Sequence, residues 1–263
     1  MEQPVVLSAA VDGVVRVTLN RPQKRNALTR ESLGDLLAIL AEVAIKPDVR
    51  CLILAASGPV FCAGMDLVQM QETAKLPDAA QAWQADTQLY HDVVTTLFKL
   101  QMPTVAIVQG PAVAGGLGLV LACDLVLAAD SATFSLPEPK RGITAAIVTP
   151  LLVHRTGAAG SAWMLLAGEP LTAFRAQQFG ICQKIVEPSQ LQDAADELVQ
   201  SILSGAPGAL RVTKQQLHSC TSSIVLAQLE EAIAVSAQAR DTPEAREGLA
   251  AFLENRAPGW QPG

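Results

Sequence analysis

Residues Thr104 to Ala129 read TVAIVQGPAVAGGLGLVLACDLVLAA, an almost wholly apolar stretch whose single charge is Asp124. Its length is that of a membrane span. Against that reading, Gly110, Pro111, Gly115, Gly116 and Gly118 interrupt it, whereas a spanning helix needs roughly 20 continuous apolar residues with its backbone satisfied internally. A buried strand, turn, helix and strand fit better: Val105 to Val108 is a β-rich run, the Gly-Gly pair opens a helix through Ala122, and Leu125 to Ala128 returns as a strand. Glycine at 115 and 116 lets backbone N–H groups at a helix start approach a ligand, where unpaired donors and the positive dipole end favour developing negative charge. That arrangement is an oxyanion site; the commoner alternative is a tight turn inside a packed core. On this stretch alone both stand.

The 263 residues are 50% hydrophobic, enough for a large core, and suit one main domain with an appendage. A net charge of -6, with no Lys/Arg-rich cluster to offset it, speaks against a nucleic-acid partner held by phosphate neutralisation. The opening residues MEQPVVLSAA contain neither a basic region followed by a signal-type apolar run nor an Arg-rich presequence, so a cytoplasmic, membrane-free protein is expected. Cys51, Cys62, Cys123, Cys182 and Cys220 are odd in number and widely spaced, and read as reduced core residues. His91, His154 and His218 lie far apart, which gives a metal site little support.

Upstream of the central stretch, Val5 to Leu7 and Val14 to Leu19 flank Asp12-Gly13, a turn dipeptide that tolerates positive φ, and predict a β-hairpin. The basic loop Asn20-Arg-Pro-Gln-Lys-Arg-Asn-Ala-Leu28 follows, then a helix from about Thr29 with Leu33, Leu36, Leu37, Leu40 and Val43 on one face. The loop's three cations suit an anionic ligand or an ordinary solvated surface. Cys51 to Ala55 reads as a buried strand leading into Ser57-Gly-Pro-Val-Phe-Cys-Ala-Gly-Met-Asp-Leu67, a loop too apolar for a plain surface connection and therefore a candidate ligand lining. From Leu67 to Gln101 the chain is polar and Ala-rich, and its later part places Leu89, Val93, Leu97 and Leu100 at helical spacing; Tyr90 and His91 ride on that helix. A histidine there is more often a satisfied structural group than a catalyst.

Downstream, Ala132 to Leu136 alternates like a strand and runs into Pro137-Glu138-Pro139-Lys140-Arg141-Gly142. The flanking prolines keep Glu138 out of regular helix. A carboxylate at a strand end beside so apolar a core is a candidate desolvated general base, its pKa raised by burial; a surface pair with Lys140 or Arg141 is the plainer alternative. Beyond Ala145, helices are expected over Ile147 to Val153, Ser161 to Leu166 and Ala173 to Phe179, the last closing at Gly180, with a short strand at Ile185-Val186. Pro188, Ser189 and Gly205-Ala-Pro-Gly208 then punctuate a tail of four further helices.

Taken together, NRPQKRNAL, GPVFCAGMDL, PTVAIVQGPAVAGGLGLVLACD, FSLPEPKRG, LTAFRAQQFGICQKIV and FLENRAPGW resemble the enoyl-CoA hydratase/isomerase family, the crotonase fold, over almost the whole chain. The resemblance implies an α/β fold, a spiral of ββα units with two sheets, spanning 1–200, and a C-terminal helical trimerisation region over 201–263, with trimers often paired into hexamers. It implies an acyl-CoA thioester as substrate, with no separate cofactor because coenzyme A is part of that substrate. By motif position, the backbone N–H groups of Met65 and Gly115 would hold the thioester oxygen, and Arg25, Ala27, Ala63, Asp66, Leu67 and Val68 match the CoA-binding stretch.

One departure from the family pattern matters most for the chemistry. Hydratases of the two-glutamate type carry their second glutamate where this chain has Gly118, so Glu138 is left as the one expected proton carrier, and Gly118 is expected to leave space beside the reacting carbons. Ala114 replaces the first glycine of the usual triple. Single-glutamate members include 3-enoyl/2-enoyl isomerases, while EPKRGITAAIVTP and GGLGLV look more like hydratases of branched or carboxylated enoyl-CoAs, which favours hydration. A non-catalytic acyl-CoA binding protein is the third reading, against which Glu138 argues. Other chemistries on this fold need polar pocket residues, of which Ile143 to Ile147 offers only Thr144. Asn255 stands where a lysine is common, weakening a phosphate contact.

Overall fold

The computed structural model describes residues 6–261. The order of elements is β1 (Val6–Val11), β2 (Val14–Leu19), α1 (Arg30–Ala44), β3 (Cys51–Ala56), α2 (Leu67–Ala74), α3 (Ala79–Lys99), β4 (Thr104–Val108), β5 (Ala112–Val113), α4 (Gly115–Leu121), β6 (Leu125–Ala129), β7 (Thr133–Ser135), α5 (Val148–Ala162), β8 (Leu171–Thr172), α6 (Ala173–Gln178), β9 (Lys184–Val186), α7 (Leu191–Ser204), α8 (Pro207–Arg240) and α9 (Pro243–Leu253). The fold is α/β, as expected.

The large sheet runs β1-β2-β3-β4-β6-β9, antiparallel only at the β1–β2 hairpin, whose turn holds Asp12 and Gly13 at φ 49° and 78°. Val5, the first residue of the expected hairpin, lies outside the described residues. A smaller sheet, β5-β7-β8, runs beside it, and single bridges at Leu28–Met65 and Cys62–Ala112 extend the same kind of pairing toward the N-terminus. Each turn of the chain thus repeats one pattern. A long strand enters the large sheet, a short extended segment makes a second pairing, and a helix returns: β2, Leu28, α1; β3, Cys62, α2 and α3; β4, β5, α4; β6, β7, α5. This is a spiral of ββα units, and it stacks the segments after each long strand next to one another.

Strand periodicity explains the layers. Leu52, Leu54, Ala106, Val108, Val126 and Ala128 point to the main core with Leu33, Leu36, Leu40, Val93 and Leu97 of α1 and α3. The alternate positions Cys51, Ile53, Ala55, Val105, Ile107, Leu127 and Ala129 meet Leu191, Ala195, Val199 and Ile202 of α7. Burial on both faces is why these strands read as continuous apolar runs.

The expected helix near Thr29 begins at Arg30, with Thr29 and Ser32 forming a reciprocal cap. Several expectations need correction. The tail after residue 190 contains three α-helices among the described residues, not four: Pro207 starts α8, and the polar run Thr221 to Ser223 does not interrupt its 34 residues. The strand expected over Ala132 to Leu136 is limited to Thr133–Ser135. Glu138 lies outside α-helix but opens a short 3-10 turn, Glu138–Arg141, because Pro139 suits a first helical turn. The helix α2 has no counterpart in the sequence reading, and Cys220 is exposed while the other four cysteines are buried.

Candidate active site

The basic loop and the apolar Gly-rich loop are locked into one unit. Ala63 N–H donates to Arg25 O (3.0 Å), Leu28 N–H to Gly64 O (2.8 Å) and Asp66 N–H to Leu28 O (2.9 Å). Buried Asn26 completes the lock: its amide donates to Ser57 O (2.9 Å) and Val60 O (2.8 Å), while its oxygen accepts from Arg21 N–H (2.8 Å). The ladder consumes the N–H groups of residues 63 and 66 and skips Met65. Among the described residues, no acceptor engages the Met65 N–H.

The second donor comes from the central stretch. Helix α4 opens at Gly115 with no side-chain cap, and the Gly115 N–H likewise has no acceptor among the described residues. Ala114 turns the chain into the helix at φ 54°, ψ -127°, a conformation that costs a non-glycine residue roughly 1–3 kcal/mol. The other glycines serve packing. A Cβ at Gly116 would meet Cys62 Cβ at 2.6 Å, and the same helix presses on Tyr90, whose hydroxyl donates to Gly115 O at 2.7 Å.

Glu138 completes the group. Its side chain is 6% exposed, and its Oε2 is buried with no hydrogen-bond partner among the described residues. Burial pushes its pKa up to about 7, against the opposing pull of its own backbone N–H and of Arg141 and Arg240. One cavity is lined by Ala63, Met65, Leu67, Gly115, Glu138 and Tyr90 together with the apolar run Ala145 to Val148. Two free backbone donors and a buried carboxyl with a raised pKa therefore share one largely apolar chamber. Such an arrangement stabilises an oxyanion while moving a proton nearby.

The other sequence candidates are distributed as follows. Leu67 and Ala63 line the cavity, whereas Val68 is exposed beside it on α2. Asp66 caps α2, accepting from the Val68 and Gln69 N–H groups, and pairs with Arg21 at 3.3 Å. Arg25 is exposed, at φ 53° in the zipped loop, and Ala27 is half-buried next to it. Gly118 is absent from the cavity wall. The space expected there is taken: a Cβ on Gly118 would overlap Tyr90 Oη and stand 3.0 Å from Val148 Cγ2. His91 is buried away from the cavity, its ring nitrogens 3.1 Å from Asp92 Oδ1 and 3.2 Å from Thr95 Oγ1, the structural role the sequence favoured.

Tyr90, Arg141 and Arg240 are cavity residues that the sequence did not single out as functional. Tyr90 is the one tyrosine of the chain, a signal that was available. Arg240 ends α8, some hundred residues beyond Glu138, and only the tertiary fold brings the two together.

The description enoyl-CoA hydratase/isomerase fits the family model that matches residues 9–263. The chain is 35% identical to the (E)-benzylidenesuccinyl-CoA hydratase of Thauera aromatica, covering 98% of this chain and 99% of that protein. It is 31% identical to the 1,2-epoxyphenylacetyl-CoA isomerase of Escherichia coli, over 96% of this chain and 97% of that one. Its fold superimposes on the crystal structure of an enoyl-CoA hydratase/isomerase from Xanthobacter autotrophicus Py2 with a TM-score of 0.88 at 30% identity, covering 98% and 99% of the two chains.

Proposed function

Since this chain belongs to the enoyl-CoA hydratase/isomerase family, we propose that it adds water across the 2,3 double bond of an enoyl-CoA thioester. The observation that carries this reading is the buried Glu138 carboxyl, whose Oε2 has no hydrogen-bond partner among the described residues, in the same chamber as the free N–H groups of Met65 and Gly115. The thioester oxygen accepts from both N–H groups. As the Glu138 carboxylate takes a proton from water, the water oxygen bonds to C3, the double-bond electrons move onto the thioester oxygen as an enolate, and Glu138 returns the proton to C2. Coenzyme A enters as part of the substrate, and Arg25, Ala27, Asp66 and Val68, on the zipped loops and the start of α2, are assigned to its binding. The relative that acts on benzylidenesuccinyl-CoA supports a branched or carboxylated acyl group.

A second reading is isomerisation of a 3-enoyl to a 2-enoyl thioester, in which Glu138 carries one proton between C2 and C4. It is favoured by the cavity wall, where Glu138 is the one carboxylate among the described residues, and by the relative named as an isomerase. A purely binding role is disfavoured by the carboxyl pushed to about 7, which is poised for proton transfer. The protein acts as a homotrimer or hexamer through the region 201–263, where Val212, Leu217, Ile224 and Val235 of α8 are exposed. Light scattering that returns a stable monomer at micromolar concentration would exclude this assembly. Assay of an enoyl-CoA panel for hydration and isomerisation side by side tests the chemistry; turnover by isomerisation alone would replace the first reading with the second.

A further inference from the structure

Two guanidinium groups in the cavity wall make no direct ion pair among the described residues, although the charges of Asp86 and Glu138 act on Arg240 and that of Glu138 on Arg141. Arg141 ends the turn that Glu138 opens, and Arg240 ends α8. Both are half-buried, and burial pulls both below their ordinary pKa. Half-buried arginines elsewhere use their forks: Arg50 donates to Leu203 O (2.6 Å) and Gly205 O (2.8 Å), and Arg155 donates to the carbonyls of Cys123 and Asp124. Arg30, half exposed, is held by Asp86 at 2.6 Å. In contrast, Arg240 makes one hydrogen bond, to Thr87 Oγ1 at 3.1 Å, and its guanidinium stands 5.8 Å from the Trp83 ring centroid. Arg141 makes no side-chain hydrogen bond or ion pair among the described residues and rests 4.2 Å over the Phe252 ring. A guanidinium carries five N–H donors, so most of this donor capacity is unspent among the described residues. Retaining two such cations in an apolar wall is costly unless an anion joins them.

Their position says where that anion sits. A second, mostly apolar chamber, lined by Ala74, Trp83, Ala245, Leu249 and Arg246, the last paired with Asp241 at 2.8 Å, meets the first at Leu67, Met70, Ile143 and the two arginines. The junction is thus a cationic collar between the chamber holding Glu138 and an apolar one. Glu138 acts on the two arginines only at a distance, since it forms no ion pair with either among the described residues.

Resting on the enoyl-CoA reading, we propose that the substrate's acyl group bears a second carboxylate, held at this junction by Arg141 and Arg240, with any apolar branch of the acyl group in the second chamber. Planar guanidinium groups match a carboxylate bidentately, which makes them selective for it over a methyl group of similar size.

The test compares glutaryl-CoA with pentanoyl-CoA, which differ in that a terminal carboxylate replaces a methyl group and which undergo no hydration. Calorimetric titration of the intact protein should show glutaryl-CoA binding about 10–100-fold more tightly, the range for charge-assisted hydrogen bonds. In Arg240→Gln and in Arg141→Gln that preference should shrink toward unity. The second variant keeps the test decisive if the first fails to fold. Equal affinities in the unsubstituted protein, or a preference that survives both substitutions, would overturn the proposal. Because the readout is binding, it is separable from the chemistry: an intact preference in a protein that hydrates no enoyl-CoA would uphold the carboxylate site and refute the hydratase reading.

Discussion

The hydroxyl of Tyr90 occupies the space that a side chain at residue 118 would need. It also donates to Gly115 O at 2.7 Å, bracing the turn whose N–H faces the cavity. The glycine at 118 is therefore not a vacancy beside the substrate but the complement of a tyrosine from α3. Where a two-glutamate hydratase has a carboxylate, this chain has a phenol locked to the helix backbone, its pKa held well above the ordinary value chiefly by burial.

Gly118→Glu, which would restore a second carboxylate if the position were empty, is expected instead to damage the protein. The new side chain must displace Tyr90 from a packed core. Overpacking of this kind costs about 1–3 kcal/mol and here also breaks a buried hydrogen bond. Thermal denaturation should show a fall of several degrees together with lower turnover; a gain in hydration with an unchanged melting temperature would show that Tyr90 moves aside freely.

Ala114→Gly should stabilise the fold. At φ 54° and ψ -127°, alanine bears strain that glycine does not, so relief should exceed the entropic cost of glycine and leave a net gain of roughly 1 kcal/mol. Denaturant titration measures it directly, and an unchanged or lower midpoint would mean that the turn is unstrained.

Much of this was legible in the chain. The strands were, because Val105 to Val108 and Cys51 to Ala55 are apolar at every position, as strands buried on both faces must be. Glu138 was, because its prolines and apolar surroundings are local features. The helix α2 escaped because Leu67 to Ala74 is short and rich in Gln and Glu, its stability resting on the Asp66 cap and on packing against Trp83. The fit of Tyr90 against Gly118 and the approach of Arg240 to Glu138 are tertiary: no spacing rule encodes them, since α3, α4 and α8 meet only after the spiral has closed.

The pH dependence of activity follows from Glu138. Its carboxylate form is the base that accepts the proton of water, so kcat/KM should rise with pH through a limb near 7, the value to which burial pushes the group. The same shift has the opposite sign for stability. A carboxyl whose folded pKa lies above its unfolded value of 4.5 favours the fold below 4.5, and that advantage is lost as pH rises through about 7. Glu138→Gln should thus be more stable than the parent at pH 8, by an amount of the order of a few kcal/mol. Melting curves at pH 5 and pH 8 give the comparison; no pH-dependent gain would place the Glu138 carboxyl at an ordinary pKa.

A partly buried ion pair at the far end of the central stretch is structural. Asp124 accepts from Lys214 Nζ (2.6 Å) and from the Thr104 N–H and hydroxyl, which ties α8 to the start of β4. Burial raises its pKa, but His218, Lys214 and Thr104 together bring it below the ordinary value. Its contribution is therefore present above pH 3.8 and lost as pH falls through the depressed value. Lys214→Met, which leaves the carboxylate without its ammonium, should cost about 3–5 kcal/mol in chemical denaturation; a loss under 1 kcal/mol would mean that Thr104 and His218 hold Asp124 unaided.

The central claim is that one carboxylate, Glu138, performs the proton transfer that adds water to an enoyl-CoA. Its most direct test is single-turnover and steady-state hydration by Glu138→Gln beside the unsubstituted protein, with acyl-CoA affinity measured on the same samples. Hydration of at least one enoyl-CoA by the parent is expected, with a loss of about 10²–10⁴ in turnover in the variant and retained acyl-CoA binding. Hydration by Glu138→Gln at a rate close to the parent's would contradict it.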